Sequence, residues 1–382
     1  MGDSSAGRNH KRNKNTLVLN MSFSINQKAF TLSIITVCRN AKARLIDTVQ
    51  SVEAVKAKTK IRIQHLLIDG ASTDGTVSLL EKLKRNGQIE DFISEPDNGI
   101  YDAMNKGIHL AKGYILYFLN AGDLLLNAKV LEECVAPLLK GEKEHAAAPV
   151  VTRLNKEISI DSPCFEYVFL RTPCCHQGYF ATASLYRNLG GYHHDTYRCL
   201  ADADLICRAY TMVGPPLIVD KPVAEYPADG FSSNCVFHYL PEYIELTNQN
   251  WATILQISKK DVEYRDLITG ILADRCIEMV KWKNEKGENC SHYIHILQKQ
   301  LHSLAKICKH PLRKACLLWA ARSYLSIHTT HSTISPLQEK LMYWSRIVCS
   351  MRPGNKYALN QGFPARSLNE ALLAKFRSLF KI

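Results

Sequence analysis

Three apolar segments in the first third of this chain each run directly into a cluster of polar residues. They span residues 31–37, 61–68 and 114–119. Parallel strands that are buried on both faces read as continuous hydrophobic runs, and open α/β sheets bind ligands beyond the carboxyl ends of their strands. Because three polar clusters follow three such strands, the sequence predicts one ligand site on one edge of one sheet.

Helical patterns separate the predicted strands. Apolar residues recur at intervals of three and four between residues 45 and 55, which is the stripe of an amphipathic helix. A second helix is predicted from Thr76 to the pair Asn86-Gly87, which is typical of a helix C-terminus. A short strand at residues 92–94 and a third helix near residues 100–111 follow. This alternation predicts a doubly wound, mostly parallel sheet with helices on both faces.

The rest of the chain divides into a mixed region and a helical region. Strands are predicted at residues 146–151, 177–182 and 217–219, with a helix near residues 202–210. Helical periodicity dominates after residue 239, and apolar residues at positions 294, 297, 301 and 304 have the spacing of a helix-packing seam. We therefore predict a basic tail at residues 1–29, an α/β domain at 30–237 and a basic helical region at 238–382.

The formal net charge of +12 is concentrated near one end of the chain. Residues 283–382 contain 16 Lys and Arg residues against 4 Asp and Glu residues, so they hold the whole excess. Such a segment favours an anionic surface, and residues 372–382 have the pattern of a basic amphipathic helix that lies among lipid headgroups. The alternative is a helical lid that packs on the α/β domain and keeps a solvated basic face.

Other partners and compartments are less consistent with the sequence. Nucleic acid is not expected, because the basic residues lie away from the strand ends and no aromatic-basic motif accompanies them. The 13 cysteines are scattered through predicted strands and helices, and the first 15 residues are polar and basic without an apolar core. No run approaches the length of a membrane-spanning helix. We expect a cytoplasmic protein, peripheral on the inner face of the cytoplasmic membrane.

Four polar residues near the strand ends are candidates for chemistry. Asp123 suits a hard divalent cation that also binds phosphate oxygens, or it caps a helix beginning near residue 124. Asp69 ends the second strand, where a carboxylate needs partners such as a nucleobase N–H or ribose hydroxyls. Asp97 and Asn98 lie in a turn, where Asx residues are frequent for local reasons alone.

Two acids begin the helix predicted near residue 202. Asp202 and Asp204 suit the positive end of a helix dipole, or one of them is a general base that takes the proton from an attacking hydroxyl. His176 and Gln177 precede a predicted strand and are expected to line a sugar or acceptor pocket. The adjacent cysteines before His176 do not match the usual Cys-x₂-Cys spacing of a zinc site.

Taken together, these segments resemble family 2 glycosyltransferases, which have the GT-A fold. Four segments, at residues 32–40, 67–76, 97–107 and 118–123, are similar to the donor-binding motifs of that family and occur in the same order. His176-Gln177 and residues 201–208 and 229–232 extend the resemblance, which covers about residues 30–233. The chain resembles especially the bacterial branch that builds capsular polysaccharides and exopolysaccharides.

The sequence departs from the family pattern at three positions. Asn120 stands where the first acid of the Asp-x-Asp metal motif is found, which leaves Asp123 as the carboxylate for the cation. Met104 replaces an Arg that many members carry, and Ala201 stands before Asp202 where a Glu is usual. Asn120 also keeps open the alternative that the chain is a catalytically inactive scaffold in a polysaccharide assembly complex.

The resemblance implies an inverting transferase that moves a sugar from a UDP- or GDP-linked donor to a hydroxyl of a glycan or a lipid-linked glycan. Asp202 would be the base with Asp204 in reserve, and Asp123 would hold Mg²⁺ or Mn²⁺. His176 and Gln177 would line the acceptor or sugar pocket. The residues expected at the nucleotide-sugar are Thr36, Arg39, Asp69, Asp97, Asn98 and Asn120.

Overall fold

The computed structural model describes residues 30–154, 157–165, 168–169, 172–227, 236–261 and 291–309, with a few positions between 264 and 318. The strands are β1 (Leu32–Cys38), β2 (Ile63–Asp69), β3 (Asp91–Ser94), β4 (Ile115–Phe118), β5 (Leu124–Leu125), β6 (His145–Ala147), β7 (Val150–Leu154), β8 (Glu157–Asp161), β9 (Tyr179–Thr182), β10 (Leu217–Ile218) and β11 (Ala224–Pro227). The principal helices are α1 (Lys42–Lys56), α2 (Thr76–Arg85), α3 (Ile100–Leu110), α4 (Ala128–Leu139), α5 (Ala183–Asn188), α6 (Ala201–Val213), α7 (Val236–Gln249) and α8 (Trp251–Lys260), followed by a helix at Ser291–Ile307.

The main sheet has seven strands in the order β10-β6-β9-β4-β1-β2-β3. The four strands from the first third of the chain, β4, β1, β2 and β3, are adjacent and parallel. β9 is antiparallel to both of its neighbours, so the sheet is mostly but not wholly parallel. The alternation of strands and helices in the sequence therefore predicted the parallel half of the sheet and the order of its elements.

Side chains of β1 pack into cores on both faces of the main sheet. Leu32 and Ile34 point to one face, where they share a core with Val52 of α1. Ile35 points to the other face, where it shares a core with Met104 of α3. Every residue of β1 and β2 is buried, which explains why both strands read as unbroken apolar runs.

A second sheet of four strands has the order β5-β11-β7-β8. The sequence pattern predicted one strand at residues 146–151, but the structure divides this run into β6 in the main sheet and β7 in the second sheet. Pro149 lies at the division, and a proline cannot donate a hydrogen bond to a sheet ladder. The chain therefore leaves the first sheet at this point and enters the second.

Helices of the C-terminal region share a hydrophobic core with the α/β part of the chain. Cys207 of α6 is buried in one cluster with Ile244 of α7 and Ile254 of α8. The predicted seam is buried in the same cluster, in the helix Ser291–Ile307. The boundary predicted at residue 237 falls inside α7.

The predicted N-terminal tail and the basic helix at residues 372–382 lie outside the described residues. None of the described helices combines the length and the hydropathy that a bilayer-spanning segment requires.

Candidate functional site

A large cavity opens at the edge of the main sheet where β1 and β4 end. Its volume is about 1280 Å³. Its walls come from the loops after these strands, from the first turns of α3 and α6, and from residue 243 of α7. Among the predicted site residues, those that line the cavity are Arg39, Asp97, Asn98, Asn120, Asp123, His176, Gln177 and Asp202.

Two loops beside the cavity are held together by hydrogen bonds between their backbones and side chains. The Asn40 backbone N–H donates to Ser72 Oγ over 2.7 Å, and Asn40 Oδ1 accepts from the Thr73 N–H over 2.9 Å. Asn40 has a φ of 49°, a left-handed conformation that asparagine tolerates better than most residues. The β1–α1 loop is thereby fixed against the β2–α2 loop.

Asp69 is fully buried at the end of β2 and belongs to this loop network. Its carboxylate accepts a hydrogen bond from the Ser72 N–H over 2.9 Å and from Ser94 Oγ over 2.7 Å, and Ser72 Oγ also donates to it. The partners that a strand-end carboxylate requires are thus supplied by the protein itself. In this conformation Asp69 orders the loops around the cavity and does not line it, so its predicted contact with a base or ribose stays a prediction.

Thr36, like Asp69, was expected at the nucleotide-sugar but does not line the cavity. It is fully buried in the middle of β1, and its Oγ1 lies 2.9 Å from His65 Nε2 on the neighbouring strand. Thr36 does not line the cavity, because residues alternate between the faces of a sheet and only strand ends reach its edge. The structure therefore does not place Thr36 at the predicted donor contact.

The side chains of Asp97 and Arg39 both lie beside Gly70, which follows β2. A Cβ atom at Gly70 would collide with Asp97 Oδ2 and would lie 3.4 Å from Arg39 Cδ. Glycine at this position therefore leaves room for the Asp97 carboxylate, which would have to shift if the residue carried a Cβ atom. Asp97 Oδ1 accepts a hydrogen bond from the Gly99 N–H over 3.0 Å, which fixes the turn before α3. The sequence pattern alone left Asp97 ambiguous, and the structure places it in the cavity wall.

Asp123 is 5% exposed and lies at the base of the cavity after β4. Its Oδ2 accepts from the Asn120 N–H over 3.0 Å and from Gln177 Nε2 over 3.1 Å. Burial raises the pKa of Asp123 to about 6, although nearby His176 and these donors lower it. The helix-cap alternative is wrong, because residues 124–125 form β5 and Asn127 caps α4.

His176 lies between the Asp123 side of the cavity and Asp202. Its Nε2 is 2.9 Å from Asn120 Nδ2, and its Nδ1 is 3.6 Å from Asp202 Oδ2. Asp202 is on the first turn of α6, where its Oδ1 accepts from the Ala203 N–H over 2.8 Å. The structure thus brings together the two residues that the sequence assigned to a base and to an acceptor pocket.

Asp204 does not line the cavity, although it is two residues from Asp202. Its buried carboxylate accepts from Arg208 Nε over 2.9 Å and lies 3.0 Å from His193 Nδ1. Arg208 also donates to the backbone oxygens of Leu189 and Gly191. Asp204 therefore joins α6 to the loop at residues 189–193, and the structure does not support it as a reserve base.

The structure adds residues to the cavity wall that the sequence analysis did not identify. They are Arg44, Tyr101, Asp161, His194, Arg198 and Tyr243. Arg44 lies in the first turn of α1, shortly after the end of β1. Its place in the sequence, close to a strand end, was therefore a partial signal for a site residue. Tyr101 lies in the segment at residues 97–107 that resembles a donor-binding motif, whereas the others come from distant parts of the chain that meet the site only after folding.

Asp123 and Asn120 fit a divalent cation that also takes ligands from a phosphate group. Among the described residues, no group of three or more His, Cys, Asp or Glu side chains forms a metal site by itself. Asn120 Oδ1, however, is buried without a hydrogen-bond partner, and Asp123 is a buried carboxylate with no cationic side chain bonded to it. Oxygen atoms of this kind are the ligands that Mg²⁺ accepts together with substrate phosphates.

Comparison with solved structures defines the class of fold. The chain matches Staphylococcus aureus TarS residues 1–349 in complex with UDP-GlcNAc with a TM-score of 0.51 at 13% sequence identity. The match covers 88% of this chain and 93% of that one. A longer TarS structure matches with a TM-score of 0.50, and this chain spans 54% of it. The protein has the GT-A fold, with a mostly parallel central sheet and helices on both faces.

Sequence comparisons then give the family. Residues 33–163 match the model of glycosyl transferase family 2. An uncharacterized glycosyltransferase of Mycobacterium tuberculosis is 32% identical over 209 residues, which are 53% of this chain and 78% of the relative. A PGL/p-HBAD biosynthesis glycosyltransferase of Mycobacterium bovis is 29% identical over 190 residues, 48% of this chain and 73% of that protein. The chain belongs to glycosyltransferase family 2.

Proposed function

We propose that this protein transfers a sugar from a nucleoside-diphosphate sugar to an acceptor hydroxyl with inversion of configuration. The observation that carries the proposal is that one cavity is lined by Arg39, Asp97 and Asp123, from the loops beyond the strand ends, and by Asp202, from the first turn of α6. This arrangement separates a wall suited to a nucleotide and its phosphates from a wall that carries a general base.

The donor occupies the strand-end wall. Arg39 and Arg44 line the cavity here, and their guanidinium groups suit the oxygens of a pyrophosphate. Asp97 and Asn98 offer hydrogen-bond acceptors and donors to the ribose or base. Asp69 supports this wall from below by ordering the loops after β1 and β2. The donor is a UDP- or GDP-linked sugar, and a TarS structure of the same fold contains UDP.

Asp123 and Asn120 would hold Mg²⁺ or Mn²⁺ beside the pyrophosphate. When bound, the cation supplies positive charge to the nucleoside diphosphate as it leaves. The neighbouring Gly122 has a φ of 106°, and its N–H donates to Thr48 Oγ1 over 2.8 Å, so α1 fixes this turn. Gln177 and the Asn120 N–H keep the Asp123 carboxylate oriented in the absence of a ligand.

Asp202 acts as the general base. It takes the proton from the acceptor hydroxyl while the oxygen of that hydroxyl attacks the anomeric carbon and the bond to the diphosphate breaks. No covalent intermediate with the enzyme is required, so a single displacement inverts the configuration. His176, which lies 3.6 Å from Asp202 Oδ2, orients this carboxylate and lines the sugar pocket.

The acceptor is a glycan or a lipid-linked glycan that enters between α6, α7 and the second sheet. Tyr101, Tyr226 and Tyr243 line this part of the cavity together with Asp161. Tyrosine rings pack on the apolar faces of sugars while their hydroxyl groups form hydrogen bonds. A relative of this chain is named a PGL/p-HBAD biosynthesis glycosyltransferase. A peripheral contact between the basic C-terminal region and an anionic membrane is part of the same proposal.

The proposal is tested by incubating the protein with UDP- and GDP-linked sugars and acceptor glycans and following release of the nucleoside diphosphate. We expect turnover, and NMR of the product should show the anomeric configuration opposite to that of the donor. Asp202→Asn should lower the transfer rate by about 10²- to 10⁴-fold. Asp220→Asn, at an exposed position after β10, is the matched control and should leave the rate unchanged.

Two results would contradict this proposal. A product that retains the configuration of the donor excludes a single displacement with Asp202 as the base. Complete absence of transfer and of donor hydrolysis, in a protein whose fold is intact, favours the inactive scaffold that Asn120 keeps open.

A further inference from the structure

Two adjacent side chains of α7 reach the segments that border the cavity. Glu242 Oε1 accepts from the Arg198 N–H over 2.8 Å, and Oε2 accepts from the N–H groups of Cys199 and Leu200 over 2.9 Å each. Hydrogen bonds to a carboxylate are stronger than those between neutral groups. A single side chain from the C-terminal region therefore holds three consecutive backbone groups.

These backbone groups lead directly into α6, the helix that carries Asp202. The residue before the helix, Leu200, has an apolar side chain and supplies no cap. Glu242 does not cap α6 itself but bonds the N–H groups of the three residues that lead into it, and its negative charge suits the positive end of the α6 dipole. The last backbone group that Glu242 holds is two residues before Asp202, so α7 contacts the chain directly before the helix that carries this carboxylate.

Tyr243 and Leu246 anchor α7 beside the same site. Tyr243 Oη lies 3.0 Å from Thr172 Oγ1, at the start of the segment that continues to His176. Leu246 is buried in the hydrophobic cluster that also contains Leu200. The helix is thus braced against the two chain segments that present His176 and Asp202, and this bracing lies outside residues 33–163, where the family model matches.

We propose that Glu242 is a positioning residue for Asp202 and that α7 is therefore part of the transfer site. The proposal rests on the proposed function, because it assigns Asp202 the role of base. Misplacement of a reacting group by about 1 Å can cost about 10²-fold in rate. Loss of the Glu242 hydrogen bonds should therefore slow transfer, while the donor wall formed by Arg39, Asp97 and Asp123 is left unchanged.

The test compares variants of the full chain in two measurements, the kcat of transfer and the Kd of the nucleoside diphosphate product. Glu242→Ala should lower kcat about 10- to 100-fold and change the nucleotide Kd less than about twofold. Glu242→Gln keeps one acceptor oxygen, and its kcat should lie between those of the wild type and Glu242→Ala. Glu245→Ala is the control, because Glu245 lies on the same helix and its carboxylate faces His292 at the surface, 3.3 Å away.

The outcomes distinguish this inference from the proposed function. Wild-type kcat in both Glu242 variants overturns the positioning role and leaves the transferase assignment intact. A parallel loss of kcat and nucleotide affinity in Glu242→Gln also overturns it, since that result indicates general damage to the fold. Absence of nucleotide binding and transfer in the wild type overturns the proposed function, and the positioning role with it.

Discussion

The buried carboxylate of Asp123 is held by neutral hydrogen-bond donors, from the Asn120 backbone and the Gln177 side chain. Asp204, which is buried to a similar extent, is instead paired with Arg208. Burial raises the pKa of Asp123 to about 6, because His176 and these neutral donors offset only part of the cost of removing the charged carboxylate from water. At neutral pH the ionised form of Asp123 therefore costs folding free energy until a cation occupies the site.

We expect Asp123→Asn to stabilise the protein in the absence of divalent cations. This stabilisation should be present at neutral pH and absent at acidic pH. The pKa of Asp123 rises from 3.8 to about 6 on folding, so the cost of ionising this carboxyl is absent below about pH 3.8 and complete above about pH 6. A shift of this size corresponds to about 3 kcal/mol. Urea unfolding at pH 4 and pH 7.5 measures the difference.

Asp220→Asn is the control for the removal of a negative charge and should have little effect at either pH. A lower unfolding free energy of Asp123→Asn at pH 7.5 than that of the wild type would show that the ionised carboxylate stabilises the fold, and would contradict the account of this site.

The two acids on the first turn of α6 have different surroundings on one element. Asp202 faces the cavity, whereas Asp204 is 3% exposed and bonded to Arg208. Because residues two apart on a helix point about 200° apart, one acid can serve the site while the other joins the helix to the fold. The local pattern could not separate these roles, since both acids suit a helix N-terminus equally, and the family resemblance ranked Asp202 first with Asp204 in reserve.

We therefore expect substitution of Asp204 to lower mainly stability and substitution of Asp202 to lower mainly the rate of transfer. Asp204→Ala should lower the free energy of unfolding by about 2 to 4 kcal/mol, because it leaves the partly buried Arg208 without its carboxylate partner. Asp202→Asn should change stability little and lower the transfer rate by about 10²- to 10⁴-fold. Denaturant unfolding and donor turnover, measured on both variants, check this division. Comparable stability losses in the two variants would show that both acids are structural.

Over the whole molecule, the sequence predicted the features that depend on local pattern. The parallel strands could be predicted because burial on both faces leaves unbroken apolar runs, and the positions of Asn120 and Asp123 followed from the end of β4. The role of Asp97, in the turn before α3, could not be predicted from the pattern alone. Pairings of distant segments could not be predicted. The antiparallel β9, the division of residues 146–151 between two sheets and the hydrogen bonds from Glu242 to residues 198–200 each join parts of the chain with no shared pattern.

The burial of Asp69 and Thr36 shows that contacts between distant segments could not be predicted from the sequence at the candidate site either. A strand-end acid needs partners, and the sequence did not reveal that Ser72 and Ser94 would supply them. Similarly, Thr36 lies in the strand that leads to the cavity, but its hydroxyl group is bonded to His65. Position along a strand could be predicted, whereas the choice between an internal partner and a ligand depends on contacts made after folding.

The central claim is that the strand-end cavity binds a nucleoside diphosphate, and the most direct measurement is thermal unfolding with UDP, GDP, CMP and dTDP, each with and without Mn²⁺. A ligand that binds the native state raises stability by RT ln(1 + [L]/Kd), about 2.7 kcal/mol at a hundredfold excess over Kd. We predict that one nucleoside diphosphate stabilises the protein with Mn²⁺ and that Asp123→Ala loses this effect. No stabilisation by any of the four nucleotides would contradict the account.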